Sequence, residues 1–248
     1  MSDPSELDDA RQALAVACRV MAHRGLVQDV LGHISLRWGN DRALMRCRGP
    51  HEAGLRFTVP ADIRLVSIVE PPSPDVDLGD GYRVPNELPI HTVSLSDRPE
   101  VRCVVHVHPT DVVIAALAEL PLVPFFGAYD IPAMRLAERG VPVHRRSVLI
   151  RTPELARAML HDMGDSDVVI LAGHGLVTHG ASIAAAMVRA LQVDRLARLM
   201  LAAHAAGVSP RPISEADRAE LPDLGTGFNE DLLYRHCVAS LDAEGWAP

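Results

Sequence analysis

His106 and His108 stand two apart at the end of a β-branched apolar run, residues 101–108. Side chains at i and i+2 of a strand project from one face. The two imidazoles can therefore reach a single divalent ion at ~2.0–2.1 Å each. Taken alone, the pair is equally consistent with two half-buried histidines bonded to backbone carbonyls. His174 adds weight to the metal reading. It follows a second apolar run, 168–172, and lies between Gly173 and Gly175, which let the backbone turn sharply and the ring approach other groups closely. Two apolar strands that each end in histidine are expected to be sheet neighbours, bringing His174 to the pair. Glu87, in Pro85-Asn86-Glu87-Leu88-Pro89-Ile90-His91, is a fourth candidate. By position alone it is a first-turn glutamate favoured by the helix dipole. His91, four residues on, shares its helix face and is either a partner behind the site or an ordinary helix histidine. Three imidazoles suit zinc, manganese, iron or cobalt; an added carboxylate tilts the expectation toward manganese or zinc.

The chain of 248 residues contains no lysine, so all 24 of its cationic side chains are arginines. Schiff-base catalysis needs a primary amine, which excludes lysine-based carbonyl lyases and lysine-anchored pyridoxal enzymes. A Walker A phosphate loop is excluded for the same lack. If this chain breaks a carbon–carbon bond, something other than an iminium must take the electrons, and a metal ion acting as Lewis acid is one such sink. The net charge of −8 argues against a nucleic-acid partner. No apolar run approaches a membrane span, and the polar, acidic residues 1–6 do not read as a signal peptide. Cys18, Cys47, Cys103 and Cys237 form no CxxC pair and read as reduced thiols of a cytoplasmic protein.

The elements that must position these residues follow from periodicity. Residues 5–24 form an amphipathic helix, with Leu7, Ala10, Leu14, Ala17 and Met21 at helical spacing. Extended runs at 34–38, 43–46 and 65–69 follow, the first two joined by the turn Gly39-Asn40-Asp41. Residues 71–86 read as a loop, 87–97 as a helix, 101–107 as a buried strand and 111–119 as a helix. A loop at 121–132 carries Phe125, Phe126, Tyr129 and Asp130. A short strand is expected at 148–150. A helix starts at Thr152-Pro153, with proline in its first position. The strand 168–172 and a long Ala-rich helix at 182–206 complete the regular part. Beyond Pro210 the tail is polar, with one helix near 229–241; Tyr234, Arg235 and His236 there could reach a neighbour's pocket, although a surface helix is the simpler reading. Strands alternating with helices indicate a layered α/β or α+β domain.

Gly32-His33-Ile34-Ser35, the Glu87 segment, His106-Val107-His108-Pro109 and Gly173-His174-Gly175 together resemble the class II aldolase/adducin family, over residues 8–207. The resemblance implies a three-layer αβα fold with a mainly antiparallel central sheet in residues 1–210, leaving 211–248 as a C-terminal tail. It also implies a homotetramer with sites at subunit interfaces. It makes His106, His108 and His174 ligands of a divalent metal, and Glu87 a catalytic acid/base that also touches the metal. Tyr129 lies where the family's aldolases keep a proton-donating tyrosine. His33, Ser35, Arg46, Arg48 and Gly49 fall at the substrate-binding positions. There the chain departs from sugar-phosphate aldolases. His33 replaces an asparagine, Arg46-Cys47-Arg48-Gly49-Pro50 replaces a Ser/Thr-Gly segment, and Pro85-Asn86 replaces a serine pair. A hydroxyl cradle for phosphate is gone, and arginines, which pair with carboxylates in a planar bidentate manner, stand in its place. These segments, with Phe126-Gly127-Ala128-Tyr129-Asp130, resemble the decarboxylase branch, which acts on hydroxylated aromatic or heteroaromatic dicarboxylates. The expected activity is thus metal-dependent decarboxylation of a small carboxylate. Arg48 would orient a carboxylate, and Glu87, its pKa raised by burial, would return a proton to the ring carbon. An aldolase for unphosphorylated carbonyls, an iron-dependent oxygenase, and a non-catalytic module of the adducin type are the alternatives.

Overall fold

The computed structural model describes residues 4–248. Its first helix, α1 (Pro4–His23), buries Leu14, Ala17, Cys18 and Met21, as the helical spacing predicts. Strands β1 (His33–Trp38), β2 (Arg42–Arg46) and β3 (Ile63–Ser67) follow. Then come α2 (Leu88–Asp97), β4 (Cys103–Val107), α3 (Thr110–Leu117), α4 (Ile131–Leu136) and β5 (Val143–His144). The chain continues through α5 (Pro153–Met163), β6 (Val168–Leu171), β7 (Gly175–Gly180) and α6 (Ile183–Ala205), and ends with α7 (Glu215–Glu220) and α8 (Leu233–Ala243). The strands form one seven-stranded sheet in the order β3-β2-β1-β4-β7-β6-β5. Every pairing is antiparallel except β5 with β6.

The sheet is the middle layer of three. One face carries Ile34, Leu44, Cys103, Val105, Val107 and Leu176, packed against α1, α3, α6 and α8. The other carries Ala43, Met45, Val104, Val169, Leu171 and Val177, packed against α2 and α5. Alternation along the strands decides the site. Since Ile34, Val105 and Val107 point to the first face, His33, Ser35 and His106 must point to the second, toward α2. Each large aliphatic side chain buried in these clusters contributes about 1.5–3 kcal/mol against the entropy of ordering it.

Several expectations change. The strand β7, absent from the sequence reading, lies between β4 and β6, so these two are not sheet neighbours. Gly175 and Gly180 at its ends and Thr178 and His179 within it hide a strand that is buried throughout. Residues 148–150 form no strand; β5 at Val143–His144 pairs with β6 instead, and the backbone at Ile150 is used elsewhere. The loop 121–132 runs into α4, whose N-cap Asp130 accepts from the Ala133 N–H at 3.1 Å. Besides α8, the polar tail holds α7 and a π-helical turn, Gly227–Leu232. Cys237 and Leu241 of α8 belong to the first core cluster, and Tyr234 packs against it. No helix is long and apolar enough to cross a membrane among the described residues.

Candidate metal centre

Glu87 is the N-cap residue of α2, yet its side chain makes no capping bond. Buried at 5% exposure, it turns into the sheet instead. Its Oε1 accepts the Ile150 N–H at 2.8 Å. Its Oε2 lies 3.3 Å from His106 Nε2 and 3.4 Å from His174 Nε2. His108 Nε2 is 2.8 Å from His106 Nε2. One ligand atom from each of Glu87, His106, His108 and His174 falls within 4.8 Å of every other.

Convergence comes from the antiparallel pairing of β4 with β7, in which Val107 faces Leu176. The turn that opens β7 is therefore set beside the end of β4, and His174 sits in that turn. Gly173 has φ +65°, a conformation that side chains disfavour. A Cβ on Gly175 would stand 2.4 Å from the Val107 carbonyl oxygen, so only glycine permits this approach.

The donor set fits a divalent cation. His106 Nδ1–H donates to the Leu176 carbonyl at 3.1 Å, which leaves Nε2 as a lone pair aimed at the cluster. His174 Nε2, the nitrogen that faces Glu87, is buried without a hydrogen-bond partner among the described residues. Buried polar atoms are nearly always satisfied, so this orphan beside a carboxylate and two further imidazoles fits the place of an ion. Burial, with the charges of His106 and His174, pushes His108 down to about 3, so it stands neutral, the form that ligates. Burial alone would raise the Glu87 carboxyl, but the adjacent His106 and His174 imidazoles hold it well below the usual carboxylate range. The raised pKa expected for Glu87 is thus corrected: its imidazole neighbours outweigh desolvation.

Behind the cluster lies a second row. His33 pairs with His106 across β1 and β4, and its Nε2 is 4.0 Å from Glu87 Oε2. His33 Nδ1 is hydrogen-bonded to His91 Nε2 at 2.7 Å, and His91 Nδ1 to Ser35 Oγ at 2.7 Å. Burial drives His33 well below its usual pKa and His91 to about 3, so both rings are neutral. Ser35, fully buried and bonded to His91, is a partner of that ring and does not face a substrate.

The arginine segment behaves differently. Arg46 is buried and grips Glu52 through two bonds of 2.5 and 2.6 Å, so its guanidinium is taken up within the protein and the substrate-binding expectation for it is corrected. Arg48 is exposed, and among the described residues no ion pair or side-chain hydrogen bond engages it; only its backbone pairs, with Arg83. Gly49 admits the Tyr82 ring, which a Cβ there would meet at 2.8 Å. Tyr129 is 68% exposed and meets only the edge of Phe126 among aromatic rings, so this chain does not bring it to the four ligands. The Ile150 N–H and the Leu176 carbonyl escaped the sequence reading because backbone groups carry no residue signal. His91 was one candidate for a partner behind the site, but its bonds to His33 and Ser35 escaped because the row joins two elements distant in sequence.

The profile of the Class II Aldolase and Adducin N-terminal domain matches residues 12–201. The chain belongs to the class II aldolase and adducin family. Within that family, it is 51% identical over 234 residues to the 3,4-dihydroxyphthalate decarboxylase of Arthrobacter keyseri, covering 94% of each chain. It is 50% identical to the protein of that name from Terrabacter sp., covering 93% of this chain and 96% of the relative. Among solved structures, an aldolase II superfamily protein from Pseudomonas syringae superposes with a TM-score of 0.77 at 21% identity, covering 99% of this chain and 96% of that one. That neighbour carries the family's three-layer fold, which this chain shares.

Proposed function

We propose that this protein is a metal-dependent decarboxylase whose substrate is 3,4-dihydroxyphthalate or a hydroxylated aromatic dicarboxylate of the same pattern. The observation that carries the reading is the convergence of three imidazoles and one carboxylate, with His174 Nε2 left unpartnered among the described residues. The curated relatives at about half identity supply the substrate class. Decarboxylation breaks the bond between ring and carboxylate, leaves its electron pair on the ring carbon, releases carbon dioxide and puts a proton in its place. A divalent cation, manganese or zinc, held by Glu87, His106, His108 and His174 would supply a Lewis acid for this electron pair. Glu87 serves as the anionic ligand, oriented by the Ile150 N–H. Arg48, free of protein partners, is the group available to a substrate carboxylate.

The proton donor is Tyr129 supplied by a neighbouring copy in a homotetramer. Its exposure on the loop before α4 supports this role. So do exposed apolar residues around the site: Leu31 precedes His33 by two residues, Leu149 adjoins Ile150, and Leu117 approaches Gly173. Four buried free thiols fit a cytoplasmic location. The test is to incubate the manganese- or zinc-loaded protein with 3,4-dihydroxyphthalate and measure carbon dioxide. Stoichiometric release is expected; aldol cleavage of a carbonyl substrate without any such release would reject the proposal.

A further inference from the structure

We infer that Ser35 and His91 are positioning residues that hold His33 with its proton on Nε2, so that the centre presents one oriented, uncharged N–H donor to an anionic oxygen of the substrate. The inference rests on the decarboxylase reading and adds how the carboxylate is recognised.

Two neutral rings and one hydroxyl in a row can be arranged in only two ways. In the first, the Ser35 hydroxyl donates to His91 Nδ1, His91 Nε2–H donates to His33 Nδ1, and His33 Nε2–H faces the centre. In the second, every proton is reversed. The His33 lone pair then faces Glu87, and the Ser35 hydroxyl proton points away from its ring.

Two observations select the first. Ser35 is fully buried, and His91 Nδ1 is the partner its hydroxyl has among the described residues. The reversed row would leave that O–H proton without an acceptor, which buried hydroxyls rarely tolerate. At the other end, His33 Nε2 looks toward the Glu87 carboxylate across 4.0 Å. Facing a carboxylate oxygen, a group that offers lone pairs, an N–H is favoured over a second lone pair. The gap is too long for a direct hydrogen bond, so the His33 donor is not consumed by the protein. An aldolase-type asparagine at this position could offer its amide with no row behind it. A histidine offers a donor only when its tautomer is set, and His91, on the facing helix α2, sets it.

Position-specific nitrogen NMR of the wild-type imidazoles, with and without metal, tests the row directly. His33 and His91 are both expected as Nε2–H tautomers; a proton on His33 Nδ1 overturns the inference. Variants supply a second arm. His91→Gln keeps an N–H that reaches His33, whereas His91→Leu, of similar bulk, keeps none. His91→Leu is expected to raise KM for 3,4-dihydroxyphthalate about tenfold while His91→Gln stays within about threefold, the scale of one hydrogen bond to a charged group. Metal content should match wild type in both. Equal KM changes in the two variants, or metal loss in either, overturn the inference. If wild-type protein turns over no 3,4-dihydroxyphthalate, the decarboxylase reading fails, while the tautomers measured on the same sample still decide the row.

Discussion

Two corners of the molecule concentrate buried charge, and they treat it in opposite ways. At the corner around Arg46, each charge closes on a protein partner. Arg46 takes both Glu52 oxygens, and Glu52 Oε1 also accepts the Gly54 N–H at 2.7 Å. Next to them Tyr82 donates to Asp62 at 3.0 Å, with Arg64 stacked 3.8 Å over its ring. At the histidine cluster, Glu87 and His106 each spend one atom on the backbone and turn the other toward the cluster, as His174 turns its Nε2. The first corner pairs its charges within the chain, although the Arg46 and Arg64 Nε atoms find no hydrogen-bond partner among the described residues. The second is complete only when something else enters. What separates the two is pairing: at the first a guanidinium closes on a carboxylate, whereas at the second one carboxylate and three imidazoles converge with ligand atoms turned toward one another.

The largest test of this contrast is His174→Ala. Outer partners of metal ligands alone carry about 10–100-fold effects, so removing a ligand should cost at least about a hundredfold in carbon dioxide release. Metal measured by mass spectrometry should fall with it; full metal retention would erase the distinction. Arg46→Ala should act on stability instead. Removing one partner of a buried ion pair costs about 3 kcal/mol, read by urea unfolding, with metal stoichiometry unchanged.

Acid should expose further buried imidazoles. Burial holds His91 and His179 at about 3, below the usual 6.5. The unfolded chain therefore binds protons that the folded chain refuses. Their stabilisation is complete above pH 6.5 and is lost as pH falls from there toward 3, by about 1.4 kcal/mol per pH unit for each histidine. Denaturant titration of the metal-free protein should follow this slope, and His179→Gln should flatten it. The smallest effect is expected for Arg48→Ala: unfolding within about 0.5 kcal/mol of wild type, with KM for the dicarboxylate raised about tenfold. A stability loss like that of Arg46→Ala would place Arg48 with the structural arginines.

Much of the site was legible in residue order. The i, i+2 spacing of His106 and His108 on a β-branched run puts both at one strand end, His106 within β4 and His108 just past it, and the glycines around His174 announce a tight turn. Glu87 was legible through the family pattern more than through its position, which suggested an ordinary helix start. Arg46 and Arg48 looked alike in sequence because nothing local reveals that Glu52 folds back onto one and leaves the other exposed. The strand β7 was hidden because residues that are buried on both faces, and interrupted by Thr178 and His179, show no alternation.

Spacing by itself determined that His106, His108 and His174 could ligate, the family pattern added Glu87, and the absence of lysine determined which electron sinks were barred. These are local or compositional facts, written in the order and kind of side chains. Only the tertiary structure decided that a hidden strand carries His174 to the end of β4, that Glu87 is held anionic despite burial, and that Ser35 and His91 stand behind His33. Those outcomes depend on distances between groups far apart in the chain, and packing alone sets such distances.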